Sequence, residues 1–204
     1  MQVQARSVAS EARRAQIVDA TIETLAEAGY QGTTFARIAA QARLSSTRLI
    51  SYHFTDKDEL LSAVFDRVVT AIGEWVGARV MAESTARGQL AAYINGVVSF
   101  TAEHRAAMRA LLQIIMGGAL PAAADSAGLT VPDHLVKILR DGRDSGEFRD
   151  LDPHVVAVCV QRSVEPLPFL LEAEPDLDID AYARELVTLF DRGTRRSGRR
   201  SGSR

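Results

Sequence analysis

Apolar residues recur at three- and four-residue intervals through most of the chain, which predicts an all-α fold of about nine helices. From Ser10 to Ala28 the residues Ile17, Val18, Thr21, Ile22 and Leu25 form one broad stripe, and Gly29 supplies a C-terminal stop. Phe35, Ile38, Ala39 and Ala42 then share one face of a short segment. Leu49, Ile50 and Phe54 can face back toward it across a tight turn near Arg43 and Leu44. Thr33 or Thr34 can cap the first of these segments and Ser45 the second. Asp56, with Glu59 three residues on, makes a capping box for a longer helix that reaches about Val80 through Leu60, Leu61, Val64, Phe65, Val68, Val69, Ile72 and Trp75. Residues 33 to 61 therefore read as a helix-turn-helix and its following helix.

Downstream the helical period continues. Leu90, Tyr93, Ile94, Val97, Val98 and Phe100 mark one helix, and His104 to Met116 the next, with Met108, Leu111, Leu112, Ile115 and Met116 apolar. After a loop to Thr130, a short helix runs from Val131 to Asp141 with Pro132 in its first turn and Gly142 as its close. The last two helices are expected at 153 to 173 and 178 to 192. The first is apolar almost all round, so burial on more than one side is expected, part by the chain's own core and the rest by a partner. Pro166 and Pro168 require a break after Val164. Gly73 and Gly77 admit either a bend in the long helix or close packing against a neighbour. Asn95, Gln113, Gln161, Arg162 and Glu165 stand in or beside apolar runs and require polar partners, either each other or a ligand.

Charge changes the picture more than composition does. The formal net charge is −2, but residues 1 to 57 carry seven Arg or Lys against five acids, residues 58 to 192 twelve against twenty-one, and the tail from Gly193 adds five arginines. A polyanionic duplex is thus attracted to the N-terminal part and repelled by the body. Ser46, Thr47, Arg48, Ser51, Tyr52 and His53 follow the turn without a carboxylate until Asp56, a composition suited to phosphates and base edges. Arg48 is the first candidate for reading a base, most suitably guanine, with Thr47, Ser51 and Ser46 beside it. A solvated helix face is the plain alternative. Residues 1 to 9 lack periodicity and read as a mobile arm that Arg6, Arg13 and Arg14 make basic. The Gly/Ser-rich tail, 193 to 204, reads as disordered.

The run from Arg13 to Leu61, about a quarter of the chain, resembles the tetracycline-repressor (TetR) family of bacterial transcription regulators. The matching residues are Ala28-Gly29-Tyr30, Gly32-Thr33-Thr34, Ile38-Ala39, Ala42, Leu44-Ser45, Tyr52-His53-Phe54 and Lys57-Asp58-Glu59-Leu60. Arg43 departs from the glycine usual at the turn, and the interval from Ser45 to Tyr52 is one residue longer than the commonest pattern. The resemblance implies a DNA-binding domain over residues 1 to 56 and a helical effector-binding and dimerisation domain over 57 to 192. It carries over Thr33, Thr34, Tyr52, His53 and Lys57 as backbone contacts. It also implies a homodimer formed by the last two helices, a palindromic double-stranded operator and release by a small-molecule effector.

Other chemistries lack their constellations. The histidines at 53, 104, 134 and 154 have no metal-ligand spacing, no nucleophile elbow or Gly-rich loop after a strand is present, and no cofactor is called for. A single cysteine, Cys159, excludes an internal disulfide and reads as an inert core residue. No apolar run is long enough to span a membrane, and the first residues lack the apolar centre of a secretory signal, so a cytoplasmic location is expected. Trp75, Tyr93, Met108, Leu112, Met116, Cys159, Arg162 and Phe169 are core residues first and effector-pocket candidates second. A sequence-independent DNA binder, or one controlled by a protein partner, fits the same N-terminal pattern.

Overall fold

The computed structural model of the chain describes residues 2–118 and 131–196, with side chains from Val8 onward. The loop up to Thr130 and the tail beyond Arg196 lie outside the described residues. Ten helices are described: α1 (Gln2–Gly32), α2 (Phe35–Gln41), α3 (Arg48–His53), α4 (Lys57–Met81), α5 (Ala86–Glu103), α6 (Arg105–Met116), α7 (Asp133–Asp144), α8 (Pro153–Val164), α9 (Leu167–Ala173) and α10 (Ile179–Thr194). The all-α expectation holds. None of these helices is long and apolar enough to cross a membrane.

Several boundaries differ for physical reasons. The expected arm is helical from Gln2, and α1 breaks at Gly29, whose φ of 69° and ψ of 176° no helix accommodates. Gly142 does not close α7. It lies buried inside it, where an added Cβ would stand 2.3 Å from the ring of Phe148. The turn that follows instead uses Gly146, with φ of 78°. Between α8 and α9 the chain breaks at Glu165 and Pro166, as the two prolines require. The C-terminal segment keeps its order past the expected end: α10 continues through Thr194, and the Arg149 N–H donates to the Thr194 carbonyl at 2.8 Å.

Two compact units divide the chain, Met1–Ala71 with His104–Gly128, and Ile72–Glu103 with Leu129–Arg204. The core of the first joins Ile17 and Leu25 of α1, Ile38 of α2, Ile50 of α3, and Leu60, Leu61 and Val64 of α4 to Ala110 and Ile114 of α6, all fully buried. Each large member contributes on the order of 2 kcal/mol through burial. The face of α6 that enters this core is that of Ala110 and Ile114, whereas Ile115 and Met116 are exposed. In the second unit Leu90, Tyr93 and Ile94 of α5 pack with Leu135 and Leu139 of α7, Val160 and Val164 of α8, and Leu167 and Leu171 of α9.

Gly73 and Gly77 face open space, so close helix packing does not explain them. Gly96 is the residue at which α5 approaches the later part of α4, with Val76 3.3 Å from a hypothetical Cβ. Among the described residues, the polar residues in apolar runs find protein partners, except Asn95, which is exposed. Gln113 accepts from the Tyr30 N–H, Gln161 accepts from the Tyr93 hydroxyl, and Arg162 pairs with Glu165.

Candidate nucleic-acid interface

The turn between α2 and α3 is a helix C-cap built without glycine. The Leu44 N–H reaches the Ala39 carbonyl at 2.8 Å and the Arg43 N–H reaches that of Ala40 at 3.0 Å, the paired bonds of a Schellman motif. That motif puts its penultimate residue in the left-handed region, and Arg43 sits there with φ of 51°. Gln16 of α1 braces the turn by donating from Nε2 to the Ala42 carbonyl at 2.7 Å. Ser45 does not cap α3: the N-cap is Thr47, and Ser46 just before it accepts from the Arg48 N–H through Oγ at 3.1 Å. Thr34 caps α2 by accepting from the Arg37 N–H.

α3 is short, and its orientation depends on what grips its two ends. Ile50 and Phe54 fill the core from its inner side. At its C-terminal end Arg14 of α1 stacks its guanidinium on Phe54 at 4.1 Å, donates from Nη1 to the His53 carbonyl at 2.6 Å, and pairs with Glu59 at 3.1 Å. Glu59 in turn accepts from both the backbone N–H and the hydroxyl of Thr55, while the Glu59 N–H goes to Asp56 Oδ1. The capping box thus closes one residue earlier than expected. Hydrogen bonds from the backbone and hydroxyl of Thr55, with help from Arg14, hold the Glu59 carboxyl below its ordinary value of 4.5. Arg14 was legible only as one of several basic N-terminal residues, since nothing local announces a partner 39 or 45 positions away.

This framework leaves Ser46, Thr47, Arg48, Ser51 and Tyr52 exposed on one short stretch, Tyr52 at 80%. The His53 ring is half-buried and meets Tyr52 edge-on at 5.1 Å. Thr34 is exposed as well. Two carried-over backbone contacts are occupied within the protein. Thr33 is 1% exposed and its hydroxyl donates to the Gly29 carbonyl, so its side chain is turned inward because the break at Gly29 frees that carbonyl. Lys57 donates from Nζ to the Tyr30 carbonyl at 3.1 Å and lies 4.3 Å over the Tyr30 ring, which makes it a brace between α1 and α4.

The effector-pocket candidates are spread over both units. Met108, Leu112 and Met116 belong to α6 in the first, with Met116 71% exposed. In the second, Trp75 donates from Nε1 to Ser99 and carries Arg79 on its ring at 3.7 Å. Tyr93 is buried, donates to Gln161 Oε1 at 2.6 Å, and packs on His134 with ring centres 5.5 Å apart. Burial, with the Glu165 carboxylate adding to it, pushes the Tyr93 hydroxyl well above its ordinary range, and burial pushes His134 down. Cys159 is exposed, which corrects its reading as a core residue. Helix α8 buries only the face of Ala157, Val160 and Val164. Arg162 is exposed and Phe169 is 47% exposed. No group of three or more potential metal ligands occurs among the described residues.

Short helices joined by a capped turn, with an outer row of donors and no acid among them, define a helix-turn-helix DNA-binding module. Residues 17–64 match the family model of the bacterial regulatory proteins, tetR family. It is 35% identical over 102 residues to the HTH-type transcriptional regulator BetI of Cronobacter sakazakii, covering 49% of this chain and 50% of that one. It is 40% identical over 87 residues to BetI of Burkholderia ambifaria, covering 41% and 43%. The match spans about half the length of these relatives or less. Among solved structures, AibR in complex with isovaleryl coenzyme A and operator DNA superposes with a TM-score of 0.72 at 20% identity, over 87% of this chain and 97% of that one. FadR from Bacillus subtilis in complex with stearoyl-CoA gives 0.66 at 22%, over 87% and 97%. At these identities the structural likeness establishes the fold.

Proposed function

We propose that the chain is a transcriptional repressor that binds a palindromic operator as a homodimer and is released by a small-molecule effector. The observation that carries this reading is the outer surface of the turn and α3, where Ser46, Thr47, Arg48, Ser51 and Tyr52 are exposed and acid-free on a helix fixed from behind by Arg14. Arg48 reads a base, with Ser46, Thr47 and Ser51 as lesser readers, and Thr34, Tyr52 and His53 contact the backbone. Lys57 serves chiefly as an internal brace. Dimerisation is supported by apolar side chains left in water on the last helices: Val155 at 56%, Phe169 at 47% and Leu189 at 62% exposure. A second copy seated there would hold two recognition helices about one turn of B-DNA apart, roughly 34 to 36 Å.

The effector lowers operator affinity only by its preference for a form of the dimer that does not fit the operator. Acyl-coenzyme A thioesters are the first class to test, because AibR and FadR were solved with such molecules. Selection from random duplexes, repeated at low and physiological salt, tests the reading. A palindromic site that survives physiological salt and is released by an acyl thioester supports it. Binding without an enriched sequence, with a steep salt dependence, would instead indicate a sequence-independent binder.

A further inference from the structure

The second unit contains a half-open groove of about 990 Å³ between the first turns of α5, the last turns of α10 and the Glu147–Phe148 turn. None of the effector-pocket candidates named from the sequence lines it. Its floor is apolar: Leu90, Ile94 and Phe148 are at most 3% exposed, and Ala91 and Val187 lie beside them. Its rim carries three guanidiniums, Arg87, Arg192 and Arg195, against two carboxylates, Glu147 and Asp191.

The bonding of those charges decides what the groove attracts. Both oxygens of Glu147 are taken by the backbone N–H groups of Ala86 and Arg87, each at 3.2 Å, at the open end of α5. Both oxygens of Asp191 are taken by Arg87 at 2.6 Å and Arg195 at 2.9 Å. Arg192 has no ion-pair partner among the described residues. The Thr188 hydroxyl, one helical turn before it, forms no hydrogen bond there either, whereas Thr101, Ser163 and Thr194 each donate to the carbonyl four residues back. Among the described residues the groove therefore presents satisfied acids, a cation without an ion pair and a hydroxyl without a hydrogen bond above an apolar floor. Beyond Arg195 the sequence adds Arg196, Arg199, Arg200 and Arg204 and no acid.

We propose that this groove binds a small amphipathic carboxylate, its aliphatic part on Ala91 and Val187 and its carboxylate on Arg192 and Thr188. The site is separate from the DNA-binding surface and does not depend on how that surface is used.

Calorimetric titration of the full chain with octanoate, against 1-octanol as its uncharged twin, tests the assignment. Octanoate binds more tightly than octanol. Arg192→Ala weakens octanoate about tenfold or more, Thr188→Val weakens it by less, and neither changes octanol. Both side chains lie at the surface, and an unchanged melting temperature verifies that the variants fold. Ala91→Phe, which fills the floor, weakens both ligands. No binding of octanoate to the wild type, equal binding by wild type and Arg192→Ala, or octanol bound as tightly as octanoate would each overturn the proposal.

Discussion

Arg43 bears a conformational cost that its neighbours impose. Its left-handed backbone is required by the two turn hydrogen bonds from Arg43 and Leu44, and an L side chain there is disfavoured by about 1–2 kcal/mol. Arg43→Gly is therefore expected to raise stability by about 1 kcal/mol, the loss of unfolded-chain order offsetting part of the relief, and to raise the melting temperature measurably. A fall in melting temperature would show that the Arg43 side chain contributes more than the strain costs. Arg14 is the opposite case, a single residue whose removal frees three contacts. Arg14→Ala should destabilise the protein by about 1–2 kcal/mol, and Arg14→Lys should recover only part, because an ammonium cannot serve the carbonyl, the carboxylate and the ring in one plane. Glu59 adds a pH dependence. Its carboxyl is lowered on folding, so its contribution is complete above the ordinary value of 4.5 and is lost as pH falls below it. In Glu59→Gln the acid-side decline of stability should be shallower, and an unchanged acid limb would assign that decline to other carboxylates. Arg43 was legible as a departure from the glycine usual at the turn, and the structure meets it with a positive φ. The links from Arg14 were not, because long-range side-chain partners leave no period or spacing in a sequence.

At the scale of elements, α3 and α8 show where pattern suffices and where it stops. The two prolines at 166 and 168 located the break after α8 because proline removes a donor and clashes with the preceding turn wherever it falls. The expectation for α8 was burial on more than one side, part by its own chain and the rest by a partner. An apolar sequence marks surface that needs covering, and within one chain only the Ala157, Val160 and Val164 side is covered. For α3 the start was approximate by about two residues, since Ser45, Ser46 and Thr47 offer the same chemistry, and the N-cap falls at Thr47 with Ser46 bonding the Arg48 N–H. The functional consequence is a division between outer and inner side chains. Arg48→Ala should cost about 1–3 kcal/mol of discrimination at one base position and leave the melting temperature unchanged. Lys57→Ala should lower the melting temperature, through loss of its bond to the Tyr30 carbonyl, before any change in sequence preference appears. Comparing selected sites and melting curves for the two variants checks both. A Lys57→Ala protein of wild-type stability would return that lysine to the list of phosphate contacts.

For the whole molecule, the exposed apolar residues of α8, α9 and α10 carry the expectation of self-association. Leu189→Glu, at a position 62% exposed, should leave the monomer folded while shifting sedimentation from dimer to monomer and weakening operator binding with it. A dimer that persists in this variant would place the interface elsewhere. The helical class was legible from periodicity alone, yet the grouping of helices was not. Ala110 and Ile114 of α6 are fully buried against the helix-turn-helix, and Gln113 holds the Tyr30 N–H at 3.0 Å across 83 positions of sequence. No local signal in α6 says which core it joins. That placement bears on how this chain can be recombined with another. The first unit is discontinuous in sequence, interrupted by residues 72–103 and resumed at His104, so no single cut in the chain separates it whole. A chimera that exchanges only the first seventy or so residues would part Tyr30 from Gln113 and set a foreign helix against Ile17 and Leu25. The smallest portable form of the helix-turn-helix unit is thus two pieces of chain, and α6 has to travel with the other.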